Sequence, residues 1–182
     1  MATKKKDPRA ATCRPKGIIG SDPLVYRAFR AHFSIKDINV GPNNRGMWVL
    51  DFGAGEGAVN TSRLRKSGYE FVWAHDLPEN TPHPASPYGV WCMDVKAAVW
   101  DVVLLSNVLN VQTSKVAVRK ILSSIKRIMR YGGTVFVNYP LEPRKSSMTV
   151  EGLVKILNVV FNPTEIRLVG GTKRAPCFMV KF

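Results

Sequence analysis

The stretch Val49-Leu50-Asp51-Phe52-Gly53-Ala54-Gly55-Glu56-Gly57 limits the possible folds of this chain more than any other. A short apolar run meets closely spaced glycines, and a helix-forming segment follows as far as Gly68. Strand, glycine-rich turn and helix in that order open a βαβ unit. The glycines let the backbone turn tightly and approach a ligand closely, and Asp51 adds a carboxylate near the strand end.

The rest of the chain continues the alternation. The pattern predicts strands over 47–52, 69–75, 88–93, 102–106 and 134–137, and helices over 56–67, 114–130 and 149–161. The last helix carries Val150, Leu153, Val154, Leu157, Val160 and Phe161 at helical spacing. Runs 165–169 and 177–182 flank a glycine-containing turn and read as an antiparallel hairpin. The class is therefore α/β, with a mostly parallel sheet and an antiparallel C-terminal hairpin. Residues 77–87 hold Pro78, Pro82, Pro84 and Pro87, which oppose a helix after the second strand. Only about six residues lie between Asp94, which closes the third strand, and Asp101, which precedes the fourth, too few for a crossover helix, so both connections are abbreviated. Upstream, Ser21 or Asp22 caps a helix reaching Phe33, with Pro23 in its first turn and Leu24, Tyr26, Phe29 and Phe33 as apolar contacts. The turn cluster 41–46 closes that section, and Gly132-Gly133 mark the end of helix 114–130. Three parts result: a basic flexible arm (1–20), an N-terminal helix and linker (21–46), and the α/β domain (47–182).

At 182 residues and 45% hydrophobic, the chain suits one domain with a core of its own. Cys13, Cys92 and Cys177 are odd in number and far apart, so neither a disulfide framework nor a metal site is expected. No apolar run of 18 residues occurs and the start lacks a secretory pattern, which predicts a soluble, cytoplasmic protein without a membrane partner. Its oligomeric state is left open. Lysine and arginine number 27 against 13 acids, a net charge of +14. Residues 1–30 account for +6 and the remainder for +8, so the folded part is basic as well as the arm.

Asp76 closes the second strand 19 residues after Gly57, where a carboxylate accepts hydrogen bonds from ribose hydroxyls. The glycines run GxGxG and a glutamate interrupts them, which departs from the GxGxxG of dinucleotide sites. A carboxylate beside the turn repels a pyrophosphate and favours a cationic ligand without phosphate.

With these residues in place, Asp51-Phe-Gly53-Ala-Gly55-Glu-Gly57 resembles the D/E-x-G-x-G-x-G signature of class I S-adenosylmethionine-dependent methyltransferases. The resemblance covers about residues 47–182 and implies a Rossmann-like methyltransferase sheet. It implies S-adenosylmethionine as cofactor, held by Asp51, Gly53, Ala54, Gly55, Asp76, Leu77, Asp94, Val95 and Ser106. In this family Asp76 would bind the ribose, Asp94 would lie near the adenine amino group, and the strand ending at Ser106 would face the methyl donor. The pattern LDFGAGEG, Gly68-Tyr69-Glu70 and DVVLLSNVLNV is also similar to methyltransferases associated with bacterial DNA phosphorothioation modules and to small phage-encoded methyltransferases.

Methyl transfer from a sulfonium depends on alignment, which supplies roughly 7–11 kcal/mol of a barrier. Asn107, just after the fourth strand, and Tyr139, after the fifth, are the candidate catalytic residues; Tyr139 would stack on a base or line the pocket. Family enzymes acting on exocyclic base amines carry Asp/Asn/Ser-Pro-Pro-aromatic at the first of these places, where this chain has Ser106-Asn107-Val108-Leu109. His75 reads as a core residue of the second strand. Helix 114–130 carries Lys115, Arg119, Lys120, Lys126, Arg127 and Arg130 and no acid, an electrostatic footprint suited to a phosphate backbone. A nucleic acid, DNA or RNA, is thus the expected partner. The alternative is a catalytically degenerate methyltransferase fold serving as a nucleic-acid-binding or virion-associated accessory protein.

Overall fold

A computed structural model describes residues 23–41, 44–77, 95, 100–143 and 148–182. The expected arm, the caps Ser21 and Asp22, the strand 88–93 and the proline-rich connection lie outside those residues. Strands β1 (Val49–Phe52), β2 (Val72–His75), β3 (Trp100–Leu105), β4 (Met129–Asn138), β5 (Glu165–Thr172) and β6 (Ala175–Lys181) form one sheet, ordered β2-β1-β3-β4-β6-β5. The first four pair in parallel, and β6 runs antiparallel between β4 and β5. This is the mostly parallel sheet with a C-terminal hairpin that the sequence predicts.

Helices α1 (Leu24–His32), α2 (Ile35–Asn39), α3 (Val59–Lys66), α4 (Lys115–Ile128) and α5 (Val150–Phe161) accompany it. Side chains alternate along a strand, and the two main apolar clusters follow that parity. Leu50, Val103, Leu105 and Val137 meet α4 and α5 on one face. Val49, Val102, Leu104 and Phe136 meet α1 and α3 on the other. The amphipathic pattern of α4 explains its placement: Val118, Leu122, Ile125 and Ile128 are buried, each contributing about 1.5–3 kcal/mol. Ser114 caps it by accepting a hydrogen bond from the Ala117 N–H at 3.1 Å. Thr149 does the same for α5, accepting from Gly152 at 3.1 Å.

Three local expectations change. The turn cluster 41–46 is preceded by the short helix α2, whose capping box joins Ser34 and Asp37 in both directions. The helix expected from residue 56 starts only at Val59, because Gly57 and Ala58 have φ of +79° and +43° and form a tight 3₁₀ turn instead. Gly132-Gly133 do not cap a helix. α4 passes straight into β4 at Met129, and these glycines lie in a bulge between the pairs Trp100–Met129 and Val102–Thr134. That bulge leaves Tyr131 98% exposed.

At the amino end of β3, Asp101 is nearly buried and accepts both Arg45 guanidinium nitrogens, at 2.8 and 3.3 Å, and the Trp48 N–H at 2.9 Å. No helix among the described residues is long and apolar enough to cross a membrane.

Candidate active site

After β1 the chain turns outward through α3 to β2, then returns across β1 to β3. Neighbouring connections therefore leave in opposite directions at the carboxyl ends of β1 and β3. In open α/β sheets that divergence opens the ligand crevice. A cavity of about 290 Å³ lies there, close to the small end of the ~300–1,000 Å³ usual for small-molecule sites. Phe52 and Gly53 enter it from β1, His75, Asp76 and Leu77 from β2, and Ser106, Asn107 and Val108 from β3. Val111 and Gln112 follow, and α4 closes the wall with Ala117, Lys120 and Ile121.

The glycine turn and Asp76 fix one another. Gly53 and Ala54 donate N–H bonds to the His75 carbonyl at 2.8 and 3.2 Å, tying the turn to β2. Gly55 donates to Asp76 Oδ2 at 2.6 Å, and Leu77 donates to Asp76 Oδ1 at 2.7 Å. Gly53 and Gly55 have φ of +80° and +75°, which L side chains rarely adopt. A Cβ on Gly53 would lie 2.5 Å from Val108 Cγ2, so this position needs hydrogen in place of a methyl group.

Asp51 lies behind the cavity. Strand parity turns it to the face covered by α1 and α3, where it is fully buried. Its oxygens accept from Tyr26 Oη at 2.7 Å and Thr61 Oγ1 at 2.6 Å. Burial pushes its carboxyl up to about 6, against the two hydrogen bonds and with a smaller contribution from the negative charge of Asp76. Asp51, expected at the ligand, thus ties β1 to α1 and α3 and is not among the residues that line the cavity. Ala54 is buried too, packed with Ala58 and Ala74. Asp94 falls outside the described residues, and Val95 is partly buried against the α4–α5 cluster.

Among the candidate catalytic residues, Asn107 reaches the cavity and Tyr139 does not. Asn107 is exposed at φ +59°, and its N–H donates to Asn138 Oδ1 at 2.8 Å while Asn138 Nδ2 donates to Asn107 Oδ1 at 2.9 Å. Tyr139 belongs to the core: it is fully buried, and its hydroxyl donates to the Met148 carbonyl at 3.1 Å. Tyr139 follows the last residue of β4 and turns away from Asn138 into the α4–α5 cluster.

Sequence reading missed several contributors. Tyr26 and Thr61 gave only helical signals, with nothing to connect them to Asp51. His75, expected in the core, is half-buried beside Phe52 with ring centroids 5.2 Å apart, and lines the cavity. Gln112 steadies the turn after β3 through a 2.9 Å bond from Nε2 to the Val108 carbonyl. Among the described residues no His, Cys, Asp and Glu cluster is able to hold a metal ion.

These residues suit an adenosyl ligand that carries positive charge. A carboxylate at the end of β2 is hydrogen-bonded to the glycine turn, apolar walls are supplied by Phe52, Leu77 and Ile121, and Ser106 and Asn107 offer polar groups. Residues 26–159 match the family model described as "Methyltransferase domain". No curated protein matches the chain. Among solved structures, the chain is similar to an S-adenosylmethionine-dependent methyltransferase from Archaeoglobus fulgidus (TM-score 0.59, 13% identity, covering 87% of this chain and 92% of that one). It is also similar to magnesium protoporphyrin IX methyltransferase from Synechocystis PCC 6803 with bound cofactor (TM-score 0.58, 14% identity, 99% of each chain). A third is the Burkholderia thailandensis 1,6-didemethyltoxoflavin-N1-methyltransferase bound to 1,6-didemethyltoxoflavin and S-adenosylhomocysteine (TM-score 0.55, 20% identity, 85% of this chain and 77% of that one). At these identities the solved structures speak for the fold, and the family match covers most of the chain. The chain belongs to the methyltransferase-domain family.

Proposed function

We propose that this protein is an S-adenosylmethionine-dependent methyltransferase acting on a nucleic acid. The observation that carries the cofactor is the joining of Asp76 to the glycine turn at one cavity, at the point where the connections diverge. Asp76, tied to the Gly55 and Leu77 N–H groups, would accept hydrogen bonds from the ribose hydroxyls. Gly53 would present backbone at close approach, and Phe52 and Leu77 would flank the base. The cofactor, when bound, supplies an electrophilic methyl group on a sulfonium. The chain's own part is to orient the acceptor and to exclude water, with Asn107 at the cavity edge, held by Asn138, set against it.

A nucleic-acid acceptor is supported by the net charge of +14 and by an α4 that contains no acid. The likeness of LDFGAGEG and DVVLLSNVLNV to methyltransferases of DNA phosphorothioation modules points the same way. Calorimetry with S-adenosylmethionine, and transfer of labelled methyl to DNA and RNA, test both parts. Asp76→Ala is expected to lose cofactor binding; unchanged affinity in that variant overturns the cofactor site. Salt-sensitive nucleic-acid binding without transfer would favour the accessory-protein reading.

A further inference from the structure

A second concavity of about 840 Å³ runs between α4 and α5. Lys115, Arg119, Lys120 and Arg127 descend one face of α4, and Lys155 stands opposite on α5. No acid lines it. The sole acid on either helix, Glu151, precedes Lys155 by one turn and stays outside the groove. The five cations are exposed, and among the described residues none has a carboxylate within ion-pair distance, although Lys155 lies near enough to Glu151 to act on its charge. Lys126, by contrast, is used structurally: its Nζ donates to the Val160 carbonyl at 2.7 Å and clips the lower ends of the two helices together. Closely set like charges repel one another, so a polyanion lying among them gains both attraction and relief of that repulsion.

The groove's geometry restricts the polyanion. From Lys115 to Arg127 the helix rises roughly 18 Å, long enough for several consecutive phosphates. Packed helix axes lie about 8–10 Å apart, so the furrow over their seam is matched to a single phosphodiester backbone. Lys120 lines both this groove and the cavity at the strand ends, so the two adjoin at that side chain. An enzyme acting on a base must take it out of the stack, and a single strand offers it unstacked.

We propose that the α4–α5 groove binds the phosphodiester backbone of a single-stranded nucleic acid and delivers its target group past Lys120 into the cavity. This rests on the nucleic-acid reading above and names the surface that serves it. The experiment measures fluorescence anisotropy of labelled mixed-sequence single-stranded DNA and RNA oligonucleotides across a salt series. The wild type is compared with Arg119→Gln/Lys155→Gln and with Arg167→Gln, a charge loss on the edge strand β5 remote from the groove. The double variant is expected to bind about tenfold more weakly at fixed salt, with a log–log salt slope shallower by about 2. Its S-adenosylmethionine affinity should equal that of the wild type, and Arg167→Gln should keep the wild-type slope. Wild-type slope and affinity in the double variant, with methyl transfer to nucleic acid intact, overturn the groove and leave the acceptor reading standing. A wild type that neither binds nor methylates nucleic acid overturns that reading and the groove with it. Tighter binding of the matching duplex, or equal competition by polyglutamate, overturns the single-strand phosphate assignment.

Discussion

Asn107 and Asn138 hold each other across the ends of β3 and β4 through two hydrogen bonds, at 2.8 and 2.9 Å. One bond comes from a backbone N–H, so the Asn138 amide must present its oxygen there and its nitrogen to the Asn107 side chain. Asn107 stands at φ +59°, a conformation that asparagine tolerates better than most residues but that still needs support. The pair therefore fixes the Asn107 side chain at the edge of the cavity.

Asn138→Ala should lower stability by about 1–3 kcal/mol in urea unfolding, since both partners on Asn107 lose their bonds. It should also reduce kcat while cofactor affinity stays near the wild-type value, because Asn138 touches neither end of the glycine turn. Asn107→Gly keeps the backbone conformation without strain and removes the side chain, so it separates the two contributions. If Asn138→Ala shows the stability loss with full kcat, the positioning role falls.

A methyl group at residue 53 has nowhere to go. Gly53→Ala combines φ +80° with a Cβ 2.5 Å from Val108 Cγ2, so backbone strain and overpacking both oppose folding. The expected cost is about 2–5 kcal/mol in chemical denaturation. Val108→Ala should return the packing share and leave the strain, giving a non-additive double-mutant cycle. Additive effects would show that Val108 is not the neighbour that matters.

Much of this arrangement is legible in the sequence, where local chemistry decides it. Ser114 and Thr149 announce their helices as capping residues, and strand alternation sorts Val102 and Leu104 from Val103 and Leu105. Asp101, at the start of its strand, lies at the opposite sheet edge from the cavity and binds Arg45 there. What sequence does not reveal is which helix covers which face. Asp51 lies near the end of its strand as expected, yet its surroundings depend on α1 and α3 lying across that face. Tyr139 follows Asn138 by one residue and is carried into the core. Gly132-Gly133 look the same in sequence whether they end a helix or relax a bulge, and only the pairing of β4 with β3 decides.

The buried carboxyl of Asp51 leads to a pH effect. Its folded-state value of about 6 lies above the ordinary aspartate value of 3.8, so the folded protein binds this proton more tightly than the unfolded chain. The resulting stabilisation is full below pH 3.8 and is lost as the pH rises through about 6, a change on the order of 3 kcal/mol. Asp51→Asn is neutral throughout, and the hydroxyls of Tyr26 and Thr61 can rotate to accept from its amide. Thermal unfolding from about pH 4 to 7 should show the variant gaining on the wild type as the pH rises. Parallel curves would mean that Asp51 does not titrate in this window.

Tyr139 provides the complementary control, a residue beside the site with a structural role. Its hydroxyl joins the end of β4 to the Met148 carbonyl, just before the cap of α5, and its ring fills a fully buried place in the α4–α5 cluster. Tyr139→Phe keeps the ring and removes the bond, so stability should fall by about 0.5–1.5 kcal/mol with kcat unchanged. Tyr139→Ala also leaves a cavity and should cost about 3–5 kcal/mol. The order Ala, Phe, wild type in thermal midpoint, with equal kcat in Phe and wild type, is what packing requires. A tenfold loss of kcat in a fully folded Tyr139→Phe would instead place the hydroxyl in the reaction, and the cavity would then have to open toward it when substrate binds.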